Sequence, residues 1–195
     1  MARTKTFDES MAIDRAMNLF WEQGYEATSV RDLSFQTGIG ISSLYNAFGD
    51  KHNVYGAALE RYGEREREQF ADELAASGPA RELLAGIFAG LIDSLLSDDG
   101  GRGSFTLNAA IELGGRDPAV TRRLRVHFEA ISELLAERLA IAQEAGEISA
   151  AHPPDELAHF LLMGLYALAV MVKIMPDRPR LEAQAAITLS VLDLS

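Results

Sequence analysis

Apolar residues in this chain recur with the three-to-four spacing of one-sided helices, and short polar breaks separate the runs. Ile13, Ala16, Met17 and Phe20 mark the buried face of a first helix, about Asp8 to Gln23, which Gly24 ends. A second helix starts at Ser29. Ser29 and Asp32 have the capping-box spacing, Val30 and Leu33 face inward, and Gly38 closes the helix. Ile39 plugs the turn. A third helix, about Ile41 to Phe48, places Leu44 and Phe48 on its core side and leaves Ser42, Ser43, Tyr45 and Asn46 on the other. After Gly49, Asp50 caps a fourth helix that carries Val54, Ala58, Leu59 and Tyr62 and extends toward Ala76. Its alternating run Glu64-Arg65-Glu66-Arg67-Glu68 reads as a solvated face.

Ser77-Gly78-Pro79 opens the second part of the chain. A fifth helix bears Leu84, Phe88 and Leu91, an exposed loop covers Asp98 to Gly103, and a short apolar sixth helix runs from about Ser104 to Leu113. Asp117-Pro118 starts a seventh that ends near Ala145. Pro153-Pro154 opens an eighth, apolar on nearly every side until Met175-Pro176. Such a helix needs cover all round, part of it from a second subunit. A ninth runs from about Arg180 to the end. The pattern is all-α, with no internal repeat.

Composition narrows the function. The chain of 195 residues is 48% hydrophobic and 24% charged, as ordinary soluble domains are. It has no cysteine, which excludes disulfides, thiolate zinc sites and thiol catalysis and fits a reducing cytoplasm. The first residues lack the apolar core of a secretory signal, and the apolar run Phe160 to Val172 is too short to span a bilayer. The four histidines do not cluster, so neither a metal nor another cofactor is expected. No nucleophile–base pair is evident, and Gly100-Gly101-Arg102-Gly103 lacks the strand that a phosphate loop follows.

A helix-turn-helix of this size makes sense when one helix braces and the next enters a DNA groove. The net charge of −11 runs against a generally basic DNA surface. Residues 1–51 hold five Lys and Arg against seven Asp and Glu, a net −2, so −9 falls on the remainder. DNA contact must then depend on where a few groups sit. Ser42 and Ser43 can donate to or accept from base edges, Ile41 can touch a thymine methyl, and Asn46 can pair with adenine. The Tyr45 hydroxyl can reach a phosphate. Ser29 and Arg31, with the amides that open the second helix, suit another. Arg31 also has carboxylate partners within reach, at Asp32 or Glu22.

The residues Gly24 to Leu33, then Thr37-Gly38-Ile39, then Leu44-Tyr45-Asn46-Ala47-Phe48-Gly49-Asp50-Lys51 closely resemble the TetR/AcrR family of bacterial transcriptional regulators. The resemblance implies a DNA-binding domain over residues 1–50 and a ligand-sensing and dimerisation domain over 51–195. It implies a homodimer joined through the last two helices, a double-stranded operator, and a small-molecule effector. It makes Lys51 a phosphate clamp, while Arg3 and Lys5 belong to an arm that reaches the minor groove or the backbone. Gly40 and Ile41 depart from the family's usual serine cap and polar residue. Asn46 and Ala47 stand where bulkier aromatic or histidine residues are common, and the family pattern places Asn46 at the DNA backbone rather than on a base. Pocket candidates are aromatic or polar residues on apolar helices: Phe88, Phe105, Asn108, His127, Met163 and Tyr166. The alternatives left open are an activator rather than a repressor, and a helical protein-binding adaptor.

Overall fold

The computed structural model describes residues 8–97 and 102–194. Arg3 and Lys5, and the loop residues 98–101, lie outside them. Among the described residues there are nine α-helices: α1 Glu9–Gln23, α2 Val30–Thr37, α3 Ile41–Phe48, α4 Lys51–Ala75, α5 Ala80–Leu96, α6 Phe105–Leu113, α7 Pro118–Glu144, α8 Pro154–Met171 and α9 Arg178–Leu189.

Local signals set most of the helix ends. Asp8, Ser29, Asp50, Ser104, Asp117 and Asp177 each accept a hydrogen bond from an amide in the first turn that follows. At Ser29 the capping box is complete in both directions. Gly38 ends α2 at φ 73, a left-handed backbone that any side chain would strain. Ser34 Oγ then donates to the Ile39 carbonyl, and Arg15 donates to the Thr37 carbonyl, so the turn into α3 is tied from two sides. The ninth helix begins earlier than expected. Pro179 is tolerated in its first turn, where amides have no helical partner, and Asp177 caps it. It also stops earlier, and the chain tightens into a 3-10 turn over Ser190–Leu192.

The buried side chains form two clusters. One lies among α4, α5, α7, α8 and α9 and includes Phe88, Leu135, Leu161 and Leu189. The other joins α1–α4 to α6 and the start of α7: Phe20, Leu33, Leu44 and Tyr55 share it with Phe105, Leu113 and Leu124. Helices α1–α3 therefore close their core with residues from the second half of the chain. Truncating Leu44, which is 1% exposed, would cost about 2–5 kcal/mol.

Helix α8 has the 18 residues that a membrane span needs, yet it packs on α7, α9 and α5. Its outward side stays bare. Phe160, Met163 and Met171 on α8 are exposed, as are Ile174 just beyond it and Ile187 on α9.

Candidate functional site

Leu44 fixes the rotation of α3, because it is the buried residue of that helix and drops into the α1–α4 core. Phe48 packs partly buried beside it. Helical geometry then leaves Ile41, Ser42, Ser43, Tyr45 and Asn46 exposed together. Gly40 caps α3 without a side-chain hydrogen bond, so no carboxylate screens the amides that open this helix. The start of α2 differs. Asp32 accepts the Ser29 amide at 2.8 Å, and Ser29 Oγ accepts the Asp32 amide at 3.2 Å. The capping box thus consumes two of the donors expected to be free for a phosphate and brings a negative charge to the spot. These bonds hold the Asp32 carboxyl below its ordinary range, first through the Ser29 hydroxyl and then through the Ser29 amide. Arg31 is exposed and makes no ion pair among the described residues, so neither Asp32 nor Glu22 claims it.

Lys51, at the first position of α4, extends its ammonium over the Tyr25 ring, 4.1 Å from the centroid. Tyr25 stands in turn against Tyr55, with ring centroids 4.9 Å apart. The loop that carries Tyr25 is gripped from the other half of the chain. Glu112, near the end of α6, accepts the amide of Tyr25 with one oxygen and the amide of Glu26 with the other, both at 2.9 Å. A second tie lies alongside. Asp117 accepts His52 Nε2 at 2.6 Å while it caps α7 through the amides of Ala119 and Val120. The Val120 amide first, then His52, keep the Asp117 carboxyl below its usual range.

Behind these ties a cavity of about 500 Å³ opens among α1 and α4–α8. Phe70, Ile87, Leu91, Ile131, Leu162 and Leu165 give it apolar walls, and Trp21 and Tyr62 give it aromatic ones. The volume lies within the range of small-molecule sites. Its polar end is built on Glu66. That carboxylate accepts from Thr106 Oγ1 at 2.8 Å and from Ser104 Oγ at 3.3 Å, and it meets His127 Nε2 at 2.9 Å. His127 fits because Gly63 faces it: a methyl added at Gly63 would stand 3.0 Å from His127 Nδ1. The Tyr166 hydroxyl is buried without a partner, and burial, then the Glu66 charge, push its pKa above the ordinary tyrosine range. Burial likewise pushes Tyr62 up to about 12.

Of the six residues read as pocket candidates, His127 and Tyr166 lie on the cavity wall. The other four do not line it. Phe88 is packed into the apolar core of the second half. Phe105 belongs to the head-side core, edge-on to Tyr55 and Tyr62 at 5.6 and 5.7 Å. Asn108 donates to the Arg102 carbonyl and accepts from Lys173, so it ties down the chain before α6. Met163 is 58% exposed on the outer side of α8. An apolar helical stripe looks alike whether it meets a core, a cavity or a partner, and those four were read from such stripes.

Among the wall residues missed in the sequence, α4 supplies the polar ones that matter here, Arg65, Glu66, Gln69 and Glu73, together with Phe70. The alternating charge run is not uniformly solvated, since Glu66 turns inward under Thr106 and His127. The spacing Tyr62, Glu66, Gln69, Phe70, Glu73 was the available signal, a helical stripe that mixes aromatic and acidic residues. Arg65 is held by Asp14 at 2.7 Å. Among the described residues no group of three potential metal ligands occurs.

Comparison with known proteins agrees with this geometry. Residues 12–58 match the family model for bacterial regulatory proteins of the tetR family, and residues 78–188 match that for the tetracyclin repressor-like C-terminal domain. The transcriptional repressor ComR of Escherichia coli (strain K12) is 33% identical over 164 residues, which cover 82% of this chain and 76% of that protein. An uncharacterized HTH-type transcriptional regulator of Bacillus subtilis (strain 168), YezE, is 29% identical over 194 residues and covers 99% of this chain and 100% of its own. Among solved structures, a cysteine mutant of the TetR family regulator CifR, complexed with 26 bp double-strand operator DNA, superposes with a TM-score of 0.84 at 31% identity. That match covers 98% of this chain and 100% of the other. Through both halves of its length, this chain belongs to the TetR family of helix-turn-helix transcriptional regulators.

Proposed function

We propose that the protein is a dimeric repressor that leaves its operator when a small molecule occupies the cavity among α4–α8. The reading rests above all on one helix, α6. Its cap Ser104 and its residue Thr106 bond to Glu66 at the cavity, while Glu112 near its far end holds the α1–α2 loop by two backbone amides. A helix of nine residues spans only about 13 Å and transmits displacement as a rigid strut. A ligand that prefers a different Glu66 environment shifts α6 and α4 together, and with them Tyr25 and Lys51. It does so only to the extent that it binds the DNA-incompetent arrangement more tightly.

On DNA, Ser42, Ser43 and Asn46 face base edges, and Ile41 faces a thymine methyl. Tyr45, Lys51 and Arg31 hold phosphates, with Ser29 beside them. The bare apolar face of α8 and α9 is the surface that a second copy covers. It sets the two heads about 34–36 Å, or a multiple of that, apart. The chemistry is binding and release.

Operator titrations test the phosphate roles. Tyr45→Phe with Lys51→Ala weakens binding while the thermal transition of the dimer stays cooperative. Lys51→Ala alone removes one phosphate contact per half-site and lowers the log–log salt slope by about 1.8. Unchanged affinity and slope would rule out these residues as the grip.

A further inference from the structure

The charges on the cavity wall do not balance, and the imbalance selects a ligand class. We propose that the effector is an organic cation with an apolar or aromatic body, bound with its positive group between Glu66 and Glu73. The inference rests on the cavity being the effector site, as proposed above.

Glu66 and Glu73 both line the cavity and lie two turns apart along α4, about 10 Å by helical rise. Their partners carry no permanent positive charge. Glu66 meets two hydroxyls and His127, and Glu73 accepts from the Gln69 amide at 2.8 Å. The Lys and Arg among the described wall residues reduce to Arg65, whose guanidinium shares the Asp14 carboxylate with Arg61. Arg102, stacked on Trp21 at 4.6 Å, and Lys173, which donates to the Asn108 side-chain oxygen, keep their charge but do not line the cavity. An anion entering the cavity would therefore meet two wall carboxylates against one wall guanidinium, an unfavourable balance where water is displaced.

Two further features accommodate a cation. The Tyr166 hydroxyl is buried without a partner in the same cavity, and its oxygen can accept from an ammonium as readily as its proton can be donated to another group. Tyr62 adds to the wall an aromatic ring that attracts cations as well as apolar groups, beside the Trp21 ring that already holds Arg102. The apolar side, with Phe70, Leu91, Ile131 and Leu162, then takes the body of the molecule.

Trp21 is the single tryptophan of the chain and stands on the cavity wall, so its fluorescence reports occupancy directly. The purified full-length protein is titrated with three probes of like shape: phenylbutylammonium, phenylbutanol and phenylbutyrate. The ammonium is expected to bind roughly ten- to a hundredfold more tightly than the alcohol, as one charge-assisted hydrogen bond provides, and the carboxylate least. Glu66→Gln and Glu73→Gln should each remove at least part of that preference. Glu73→Gln matters most if Glu66→Gln disturbs the Thr106 and His127 contacts. The proposal is overturned if the carboxylate binds as well as the ammonium, if both Gln variants keep full affinity for the ammonium, or if no probe quenches Trp21. Gly90→Leu separates the two levels. Gly90 lines the cavity at an exposed position of α5, and a methyl added there meets no atom within 4 Å, so a leucine is accommodated at the cavity mouth. If it abolishes binding of an acid or alcohol that wild type prefers, the cavity stands and the cation class falls. If it leaves ammonium binding unchanged, both fall.

Discussion

Single carboxylates tie the two halves of this protein together. Glu66, Glu112 and Asp117 each join an α-helix of the second half to the helices or loop of the first. Asp117 gives the clearest pH signature. Its carboxyl is held below the ordinary value of 3.8 by the Val120 amide and by His52. The favourable contribution is therefore fully present above about pH 3.8 and is lost as the pH falls through the lower folded value. In an acid titration followed by circular dichroism, Asp117→Asn should unfold with a shallower dependence in that range than wild type; an identical profile would deny Asp117 this part. These residues also show what the sequence could reveal at this scale. Asp117 was legible as a cap because Asp-Pro is a local signal. The Glu66 and Glu112 roles were not, because their partners lie 38 or more positions away along the chain. Nothing in a run of alternating charges says which member turns inward.

At the level of helices, the short reading helix needed little more than its own pattern. Leu44 fixes its rotation, and Ile41, Ser42, Ser43, Tyr45 and Asn46 follow as the outer face. Helix α6 is the opposite case, since its apolar sequence says nothing of the bonds at its two ends. Glu112→Gln keeps one acceptor oxygen but loses the charge and one of the two amides. It should destabilise the dimer by about 1–3 kcal/mol and weaken operator binding. Denaturant melts beside an anisotropy titration check this, and full affinity in the variant would dissociate α6 from the head. Helix α5 offers a contrasting change. Gly90→Leu replaces the poorest ordinary helix former where there is room, and should raise stability by about 0.5–1 kcal/mol. The same change should abolish the response to effector. A more stable protein that still responds would move the effector elsewhere.

At the level of the whole molecule, the bare face on α8 and α9 and the head placement belong together. Ile187 is 67% exposed on α9. Ile187→Glu should shift sedimentation toward the monomer and cost most of the operator affinity, since a single head has one half-site to hold; a stable dimer in the variant would place the interface elsewhere. The sequence showed that helix eight was too apolar to stand alone. It did not separate outward Met163 from inward Leu161, because both fit a helix that is apolar all round. The apolar core under the DNA-reading helices has a further consequence for how such proteins diversify. Phe105, Leu113 and Leu124 complete that core from the far half of the chain, and Glu112 grips its loop. A head cut out at the start of α4 and grafted onto an unrelated sensor would carry a torn hydrophobic surface and two orphaned amides. New pairings of reader and sensor must therefore inherit the α6–α7 corner along with the head, so the exchangeable unit is larger than the motif that touches DNA.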